Sequence, residues 1–370
     1  MKLVKTPRTV DLNITNSCNL RCSYCSHFSS GGDLGADLPK EEWLKFFEEL
    51  NRCAVLDVCL CGGEPLYRKD FKELVDSIVK NKMRFSILSN GTLIDDDVAE
   101  YLKSTGRCSS FQVSIDGPGP ESHDVFRGEG TFREALNGLK CLIRHGIPAT
   151  VSATVHKHNV KSLDKLAELL LEDVGLPSFS TNGAGHLGLC RENGANIQLT
   201  EGEYSEAMAK LAKLHEKYGD RISAQSGPLA SIKNWQNMEI AKQQGKEKFP
   251  DSGHLRGCGG VFNKIAVLAD GTIVPCSQMP HVRLGKINKD SLSEIWINHP
   301  ELKRLRERKD IPLESFEYCQ ECEYISYCIG GCPALAYTIT GNENKPAPNA
   351  CYRAFLKDGG RLPEYKLGKI

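Results

Sequence analysis

The chain has 370 residues, with 47 basic and 47 acidic side chains and a formal net charge of zero. Such a length suits one large α/β domain plus a smaller one. The balanced charge argues against nucleic acid or an anionic membrane as a partner, and no apolar run is long enough for a signal peptide or a membrane span. We therefore expect a cytoplasmic protein.

Six short apolar runs alternate with amphipathic stretches, which predicts β-strands separated by helices. The predicted strands are residues 9–15, 55–61, 84–89, 111–116, 149–155 and 177–182. The predicted helices are residues 40–52, 69–81, 96–105, 131–146 and 161–173. This alternation is typical of an α/β fold with a parallel sheet, either open or curled into a partial (β/α)6 TIM-like barrel.

The pattern changes after the sixth predicted strand. A helix is predicted over 202–218, the polar stretch 234–257 is interpreted as a loop or linker, and an Ala-Asp-Gly turn predicts a hairpin over 262–276. We therefore predict three regions: a partial-barrel domain over 1–200, a helix and bridging linker over 201–257, and a cysteine-rich domain over 258–370.

Unusual loops follow the predicted strands in order. They are NSCNLRCSYC (16–25), GGEP (62–65), NGT (90–92), DGPG (116–119) and HKHN (156–159). Because the carboxyl ends of parallel strands share one edge of a sheet, the chemistry is expected at that edge.

In a reducing compartment the sixteen cysteines do not form a disulfide framework, so they are expected to be core residues, metal ligands or catalysts. Three lie in the first loop, and seven lie in the last third of the chain. The other six are scattered, and we expect most of them to be small buried hydrophobic residues. These six are Cys53, Cys59, Cys61, Cys108, Cys141 and Cys190.

The first loop offers three thiolates, Cys18, Cys22 and Cys25, with spacing C-x3-C-x2-C. A zinc site would need a fourth ligand, for which His27 is the nearest candidate. The alternative is a [4Fe–4S] cluster in which three irons have cysteine ligands and the fourth is open to a cofactor or substrate.

With Tyr24 before the third cysteine, this loop resembles the C-x3-C-x-aromatic-C signature of the radical S-adenosylmethionine (SAM) superfamily. The resemblance implies that SAM chelates the open iron. It also implies that one electron cleaves SAM to methionine and a 5′-deoxyadenosyl radical, which abstracts a hydrogen atom. Cys18, Cys22 and Cys25 would then be the catalytic cluster ligands.

The following loops resemble the SAM-binding motifs of the same family. GGEP would meet the SAM amino group and SNGT the ribose, while Ser114 and Arg127 would reach the carboxylate; Arg127 in an ordinary surface ion pair is the alternative. The cofactor-binding residues implied by the resemblance are Tyr24, Gly62, Gly63, Glu64, Ser89, Asn90, Ser114 and Arg127.

The seven late cysteines, with a glycine between the first two, resemble the SPASM extension, a small iron–sulfur domain with two auxiliary [4Fe–4S] clusters. By resemblance, one cluster is ligated by Cys319, Cys322, Cys328 and Cys351, and the other by Cys258, Cys276 and Cys332. The latter set lacks a fourth cysteine. Two zinc sites, or clusters that only support the fold, are the alternatives. The neighbouring Gly-Gly pairs are consistent with amides turned toward cluster sulfurs or with tight turns alone.

The SPASM resemblance implies oxidative modification or cross-linking of a peptide or protein, with a reducing partner such as flavodoxin or ferredoxin. Biosynthesis of a small molecule or a tetrapyrrole is the alternative. Sulfatase maturation is disfavoured because Ser277 stands where those enzymes have an Asp. Since the first strand begins near residue 9, a separate leader-recognition protein, a leaderless substrate or a small molecule is expected. Candidate substrate contacts are His186, Gln278, His281 and Arg283.

Overall fold

The structure, a computed structural model, describes residues 3–28, 35–256 and 258–363. The strands are β1 Thr9–Thr15, β2 Asp57–Gly62, β3 Arg84–Ser89, β4 Cys108–Ser114, β5 Ala149–Val155, β6 Phe179–Gly183, β7 Ile222–Ala224, β8 Lys264–Val267, β9 Thr272–Val274 and β10 Gly285–Lys286. The helices are α1 Lys40–Arg52, α2 Phe71–Lys80, α3 Asp96–Ser104, α4 Pro120–Arg127, α5 Thr131–Arg144, α6 Leu163–Glu168, α7 Gly188–Glu192, α8 Gly194–Ile197, α9 Glu201–Tyr218, α10 Pro228–Gln243, α11 Gly260–Asn263, α12 Leu292–Asn298, α13 Pro300–Glu307, α14 Pro333–Thr340 and α15 Tyr352–Lys357.

The contacts divide the chain into two compact units whose segments alternate along the sequence. The first unit contains Met1–Ile115, Gly119–Ser152 and Cys258–Arg306. The second contains Asp116–Pro118, Ala153–Gly257 and Glu307–Ile370. The division into three consecutive regions stays a prediction.

The first unit is built on a sheet with strand order β10-β9-β8-β1-β2-β3-β4-β5. The central strands run parallel, and β8 joins them by pairing in parallel with β1. The hairpin strand β9 pairs antiparallel with both β8 and β10. Because the described sheet ends at β10, it is open at that edge. In the second unit β6 and β7 pair in parallel. The predicted α/β fold with a parallel sheet is thereby confirmed, and the open edge is consistent with the predicted partial (β/α)6 barrel.

The central strands alternate sharply between their two faces. Val10, Leu12 and Ile14 of β1 are fully buried on the face that the helices cover. Helix α1 has Trp43 and Phe46 among its buried side chains, each contributing about 2–3 kcal/mol of hydrophobic stabilisation. The opposite residues of the strands are mostly polar, although exposed Leu88 is among them, and we call this side of the first unit's sheet the polar face.

All six predicted strands are present, with ends displaced by at most a few residues. The interpretation of 234–257 as loop is wrong for its first ten residues, because α10 extends to Gln243. Pro228 starts this helix, and its buried residues Leu229, Ile232 and Met238 are spread around the helix instead of forming one apolar stripe. The sequence therefore carries no helical periodicity that would predict α10.

Across the described ranges, no helix is both long enough and apolar enough to cross a membrane.

Candidate functional site

The three-cysteine loop leaves the carboxyl end of β1 and turns tightly. The amide of Cys25 donates to the carbonyl of Cys22 at 3.0 Å, and the amide of Leu20 donates to Cys18 Sγ at 3.4 Å. Burial raises the pKa of the Cys18 thiol, the Leu20 amide opposes that rise, and Glu64 and Cys25 add to it. Cys18 and Cys25 therefore lie close enough to interact, as ligands of one cluster must.

The glycines after β2 let the backbone of that loop lie against the cysteine loop. The amide of Gly63 donates to Thr15 O at 2.8 Å, and the amide of Glu64 donates to Ser17 O at 2.9 Å. Gly62 has a φ of +124°, and a Cβ on Gly63 would meet Ser17 O at 2.1 Å. Only glycine fits this close approach, so the motif is more than a strand exit.

Glu64 joins the loops after β2 and β3. Its side chain accepts from Ser89 Oγ at 2.9 Å, from the Asn90 amide at 2.8 Å and from the Leu66 amide at 3.2 Å. Burial raises the pKa of Glu64 to about 7, although these three hydrogen bonds oppose that rise. The carboxyl group thus braces the site in addition to any contact that it makes with SAM.

Asn90 connects this brace to the cysteine loop. Its Nδ2 donates to Asn19 Oδ1 at 2.9 Å, Asn19 Nδ2 donates to Thr92 Oγ1 at 2.8 Å, and the Thr92 amide donates to Asn90 Oδ1 at 2.9 Å. Sequence reasoning missed Asn19, although its place between two cluster cysteines was a signal. The side chains of Asn19, Asn90 and Thr92 thus hold the loops after β1 and β3 against each other.

The end of α4 packs on the cysteine loop. The Ser23 amide donates to Phe126 O at 3.0 Å, and the Tyr24 and Phe126 rings meet edge to face with centroids 5.9 Å apart. The Arg127 guanidinium lies 5.3 Å from the Tyr24 ring centroid and is only 9% exposed. Such burial argues against an ordinary surface ion pair for Arg127. Ser114 is the last residue of β4.

Four late cysteines come together within the second unit. Burial raises the pKa of Cys319 to about 11, and the nearby Cys328, Cys351 and Cys322 thiols contribute to the rise. Cys351 caps α15, where its Sγ accepts from the Ala354 amide at 3.4 Å. The geometry thus groups the four residues that the sequence predicts as ligands of one auxiliary cluster.

Backbone amides point at the sulfurs beside both Gly-Gly pairs. The Gly330 amide donates to Cys328 Sγ at 3.3 Å, and the Gly260 amide donates to Cys258 Sγ at 3.3 Å. The glycines therefore do more than form turns, because such bonds stabilise thiolate ligands. Cys258 and Cys276 belong to the first unit and Cys332 to the second, so their joint ligation of a cluster stays a prediction.

Single zinc ions at the thiol sets are the alternative to iron–sulfur clusters. Around one tetrahedral zinc the sulfurs would lie about 3.8 Å apart. Among the described residues, the group of possible metal ligands whose atoms all lie within 4.8 Å is Asp96, Cys141 and His145, outside these loops. The cluster ligands assigned from the sequence stay a prediction.

The expectation that most scattered cysteines are buried is wrong. Only Cys141 and Cys190 of the six are buried, while the others are partly exposed. Cys59 and Cys61 of β2 lie on the polar face, because strand alternation directs Val58 and Leu60 to the helices instead. Alternation along β2 predicts that the strand has two faces, but the sequence does not show which face the helices cover.

Among the candidate substrate contacts, Gln278 lies beside the cysteine loop, since its Nε2 donates to Ser26 Oγ at 3.4 Å. His281 and Arg283 are exposed in the same unit, and partly buried His186 lies in the second unit. Their roles stay predictions.

Two family models match the chain: the radical SAM superfamily over residues 12–170, and SPASM, an iron–sulfur cluster-binding domain, over residues 258–323. In sequence, the chain is similar to an AdoMet-dependent heme synthase of Methanosarcina barkeri. The two are 28% identical over 358 residues, which cover 95% of this chain and 98% of the relative.

Two solved structures share its fold. The first is SuiB of Streptococcus suis bound to the precursor peptide SuiA, with a TM-score of 0.70 and 16% identity over 95% of this chain and 77% of that chain. The second is native anSMEcpe with bound AdoMet, with a TM-score of 0.68 and 18% identity over 95% of this chain and 96% of that chain. The matching family models thus show that the chain carries a radical SAM domain and a SPASM iron–sulfur cluster-binding domain, and the two solved structures show the same fold.

Proposed function

We propose that this radical SAM/SPASM enzyme abstracts a hydrogen atom from a peptide or protein substrate, giving an oxidative modification or a cross-link. Cys18, Cys22 and Cys25 would hold the [4Fe–4S] cluster whose electron cleaves SAM to methionine and the 5′-deoxyadenosyl radical. The two late cysteine sets would hold two auxiliary [4Fe–4S] clusters. A flavodoxin or ferredoxin would supply electrons, and a separate leader-recognition protein is a possible further partner.

The residues around the cluster loop would bind and orient SAM. Glu64 Oε2 accepts only the Asn90 amide among the described donors, which leaves it one lone pair for the SAM ammonium group. Arg127, held in a buried position beside Tyr24, is suited to the SAM carboxylate. These contacts would fix the position at which the radical forms, and position decides which hydrogen it reaches.

The charges on the polar face favour a peptide over a tetrapyrrole as the substrate. Ser86, Gln112 and Ser152 are typical of its residues. Its cations are matched, since Arg84 pairs with Asp57 at 2.9 Å and Lys264 pairs with Asp11 at 3.0 Å. Strands β1–β5 and β8 therefore leave no unmatched cation on this face for the propionate groups of a tetrapyrrole. Neutral hydrogen-bonding side chains suit the amide groups of a peptide.

A tetrapyrrole substrate is the second candidate, because the relative from M. barkeri is named a heme synthase and aligns with 95% of this chain. Such a substrate would take its cationic partners from loops rather than from the polar face.

The test offers both substrate classes to the reconstituted enzyme under anaerobic, reducing conditions. The peptide arm uses synthetic peptides encoded by short reading frames beside the gene, and the other arm uses iron coproporphyrin. We expect a peptide to raise 5′-deoxyadenosine formation at least tenfold and to lose hydrogen by mass. The variant with Cys18, Cys22 and Cys25 all changed to Ala is the control and should form none.

Stimulation by iron coproporphyrin, with conversion of its propionates to vinyl groups and no response to peptides, would replace the first candidate by the second. Absence of SAM cleavage by the iron-loaded wild type would remove both.

A further inference from the structure

Two thiols lie together on the polar face at the end of β2. Cys59 and Cys61 are two residues apart on one strand, so their side chains leave it on the same side. Cys61 directly precedes Gly62, which begins the glycine motif. Its thiol donates to Oδ1 of Asn13 at 3.0 Å, and Asn13 is its register partner on β1.

The two thiols have different environments. The neighbouring Cys61 and Ser86 side chains lower the pKa of the Cys59 thiol, and the Lys264 ammonium acts in the same direction. The neighbouring Cys59 side chain, together with burial, raises the pKa of the Cys61 thiol well above its usual value. Because the Cys61 thiol donates its hydrogen to Asn13 Oδ1, the geometry also favours an S–H group at position 61.

The hydrogen bonds around the motif place this S–H group at the level of the cluster loop. In the register of β1 and β2, Asn13 is opposite Cys61 and Thr15 is opposite Gly62. The next amide, that of Gly63, donates to Thr15 O at 2.8 Å. Cys61 therefore lies on the polar face, next to the backbone hydrogen bond that joins the glycine motif to the start of the cluster loop.

We propose that Cys61 is a hydrogen-atom donor that quenches carbon radicals formed at this site. This rests on the proposed radical chemistry and adds an outcome to it: hydrogen is returned to a carbon instead of being lost. The S–H bond breaks homolytically, a C–H bond forms, and Cys61 becomes a thiyl radical. The neighbouring Cys59 sulfur stabilises that radical by sharing an electron pair. One electron from the enzyme's one-electron reductant and one proton then restore the thiol.

The test needs no substrate. An S–H proton exchanges with solvent, so in D2O position 61 carries deuterium, whereas carbon-bound hydrogens of the protein do not exchange. Iron-loaded enzyme is incubated anaerobically with SAM in D2O, with dithionite as the reductant and no added thiol. We expect most 5′-deoxyadenosine from the wild type to contain one deuterium, as measured by mass spectrometry.

The matched variant is Cys61→Ser, which keeps the size of the side chain and a hydrogen-bond donor for Asn13. Its O–H bond is too strong for a carbon radical to break. The deuterated fraction of the product should therefore fall at least fivefold in Cys61→Ser and in Cys61→Ala. Cys53→Ser, a change at a partly exposed cysteine after α1, should match the wild type.

Deuterium-free product from wild-type enzyme that cleaves SAM would refute this role of Cys61 and leave the proposed function standing. An unchanged deuterated fraction in both Cys61 variants would refute it equally. If the iron-loaded wild type forms no 5′-deoxyadenosine, the radical chemistry itself is refuted.

Discussion

Among single residues, Glu64 supports the candidate site by joining two loops. Its carboxyl group is 1% exposed and accepts three hydrogen bonds that join two loops. Burial nevertheless disfavours its charged form enough to raise the pKa to about 7. A positively charged partner such as the SAM ammonium group would favour the carboxylate, so the free and the SAM-bound protein should differ in the protonation of this residue.

This raised pKa predicts a pH-dependent stability. Between pH 4.5 and about 7 the unfolded chain releases the Glu64 proton while the folded chain keeps it. The free energy of unfolding should therefore fall as pH rises through this window, by about 2 kcal/mol between pH 5.5 and 7.5. Glu64→Gln, which has no proton to lose, should lack this part of the decrease. Anaerobic urea unfolding of the SAM-free protein at several pH values measures it.

Glu73→Gln, a change at an exposed carboxylate of α2, is the control and should follow the wild-type profile. Parallel profiles for the wild type and Glu64→Gln would contradict the prediction.

Among the elements, the ends of β1, β2 and β3 and the loops that follow them are joined by hydrogen bonds. The β2 loop donates two backbone hydrogen bonds to the β1 loop, and side chains of the β3 loop bond to both. A change in the backbone of one loop should therefore disturb the others.

Gly63→Ala tests this dependence. The new Cβ would lie 2.1 Å from Ser17 O, so the cysteine loop must move. We expect 5′-deoxyadenosine formation to fall at least tenfold and the first cluster to be bound less completely, as measured by product analysis and iron content.

Gly202→Ala is the matched control. Gly202 lies in the first turn of α9, and an added Cβ there meets no atom within 4 Å. Alanine is the better helix former, so this variant should be at least as stable as the wild type and equally active. Wild-type activity in Gly63→Ala would contradict the prediction, because the loops after β1 and β2 could then move apart without loss of function.

At the scale of the whole molecule, the thiol sets occupy separate parts of the chain. The first loop belongs to the first unit, and the group containing Cys319, Cys322, Cys328 and Cys351 belongs to the second. Each set should therefore be removable without loss of the other.

Three [4Fe–4S] clusters predict about 12 iron and 12 sulfide per chain. Changing Cys18, Cys22 and Cys25 to Ala should lower both to about 8 and abolish SAM cleavage. Changing the four late cysteines to Ala should also lower both to about 8, but should preserve the SAM-dependent change in the electron paramagnetic resonance spectrum of the first cluster. Zinc in place of iron, or wild-type iron content in both variants, would contradict the cluster assignment.

Much of the fold was predictable because its signals are local. Two-residue alternation marks β1–β6, helical spacing marks α1, α2 and α9, and the turn residues mark the β8–β9 hairpin. Helix α10 was missed because its apolar residues do not line one face of the helix, so the sequence shows no helical periodicity there.

For the site, the sequence by itself determined the cysteine sets and the order of the loops, because spacing and motif are properties of the chain alone. Tertiary structure decided how the side chains meet. The Glu64 brace joins residues 25 positions apart, and the Asn90–Asn19 bond joins residues 71 apart. The open side of the sheet, with Cys61 bonded to Asn13, also depends on strand pairing. Parallel strands bring distant segments into contact, and local sequence does not specify which side chains will then meet.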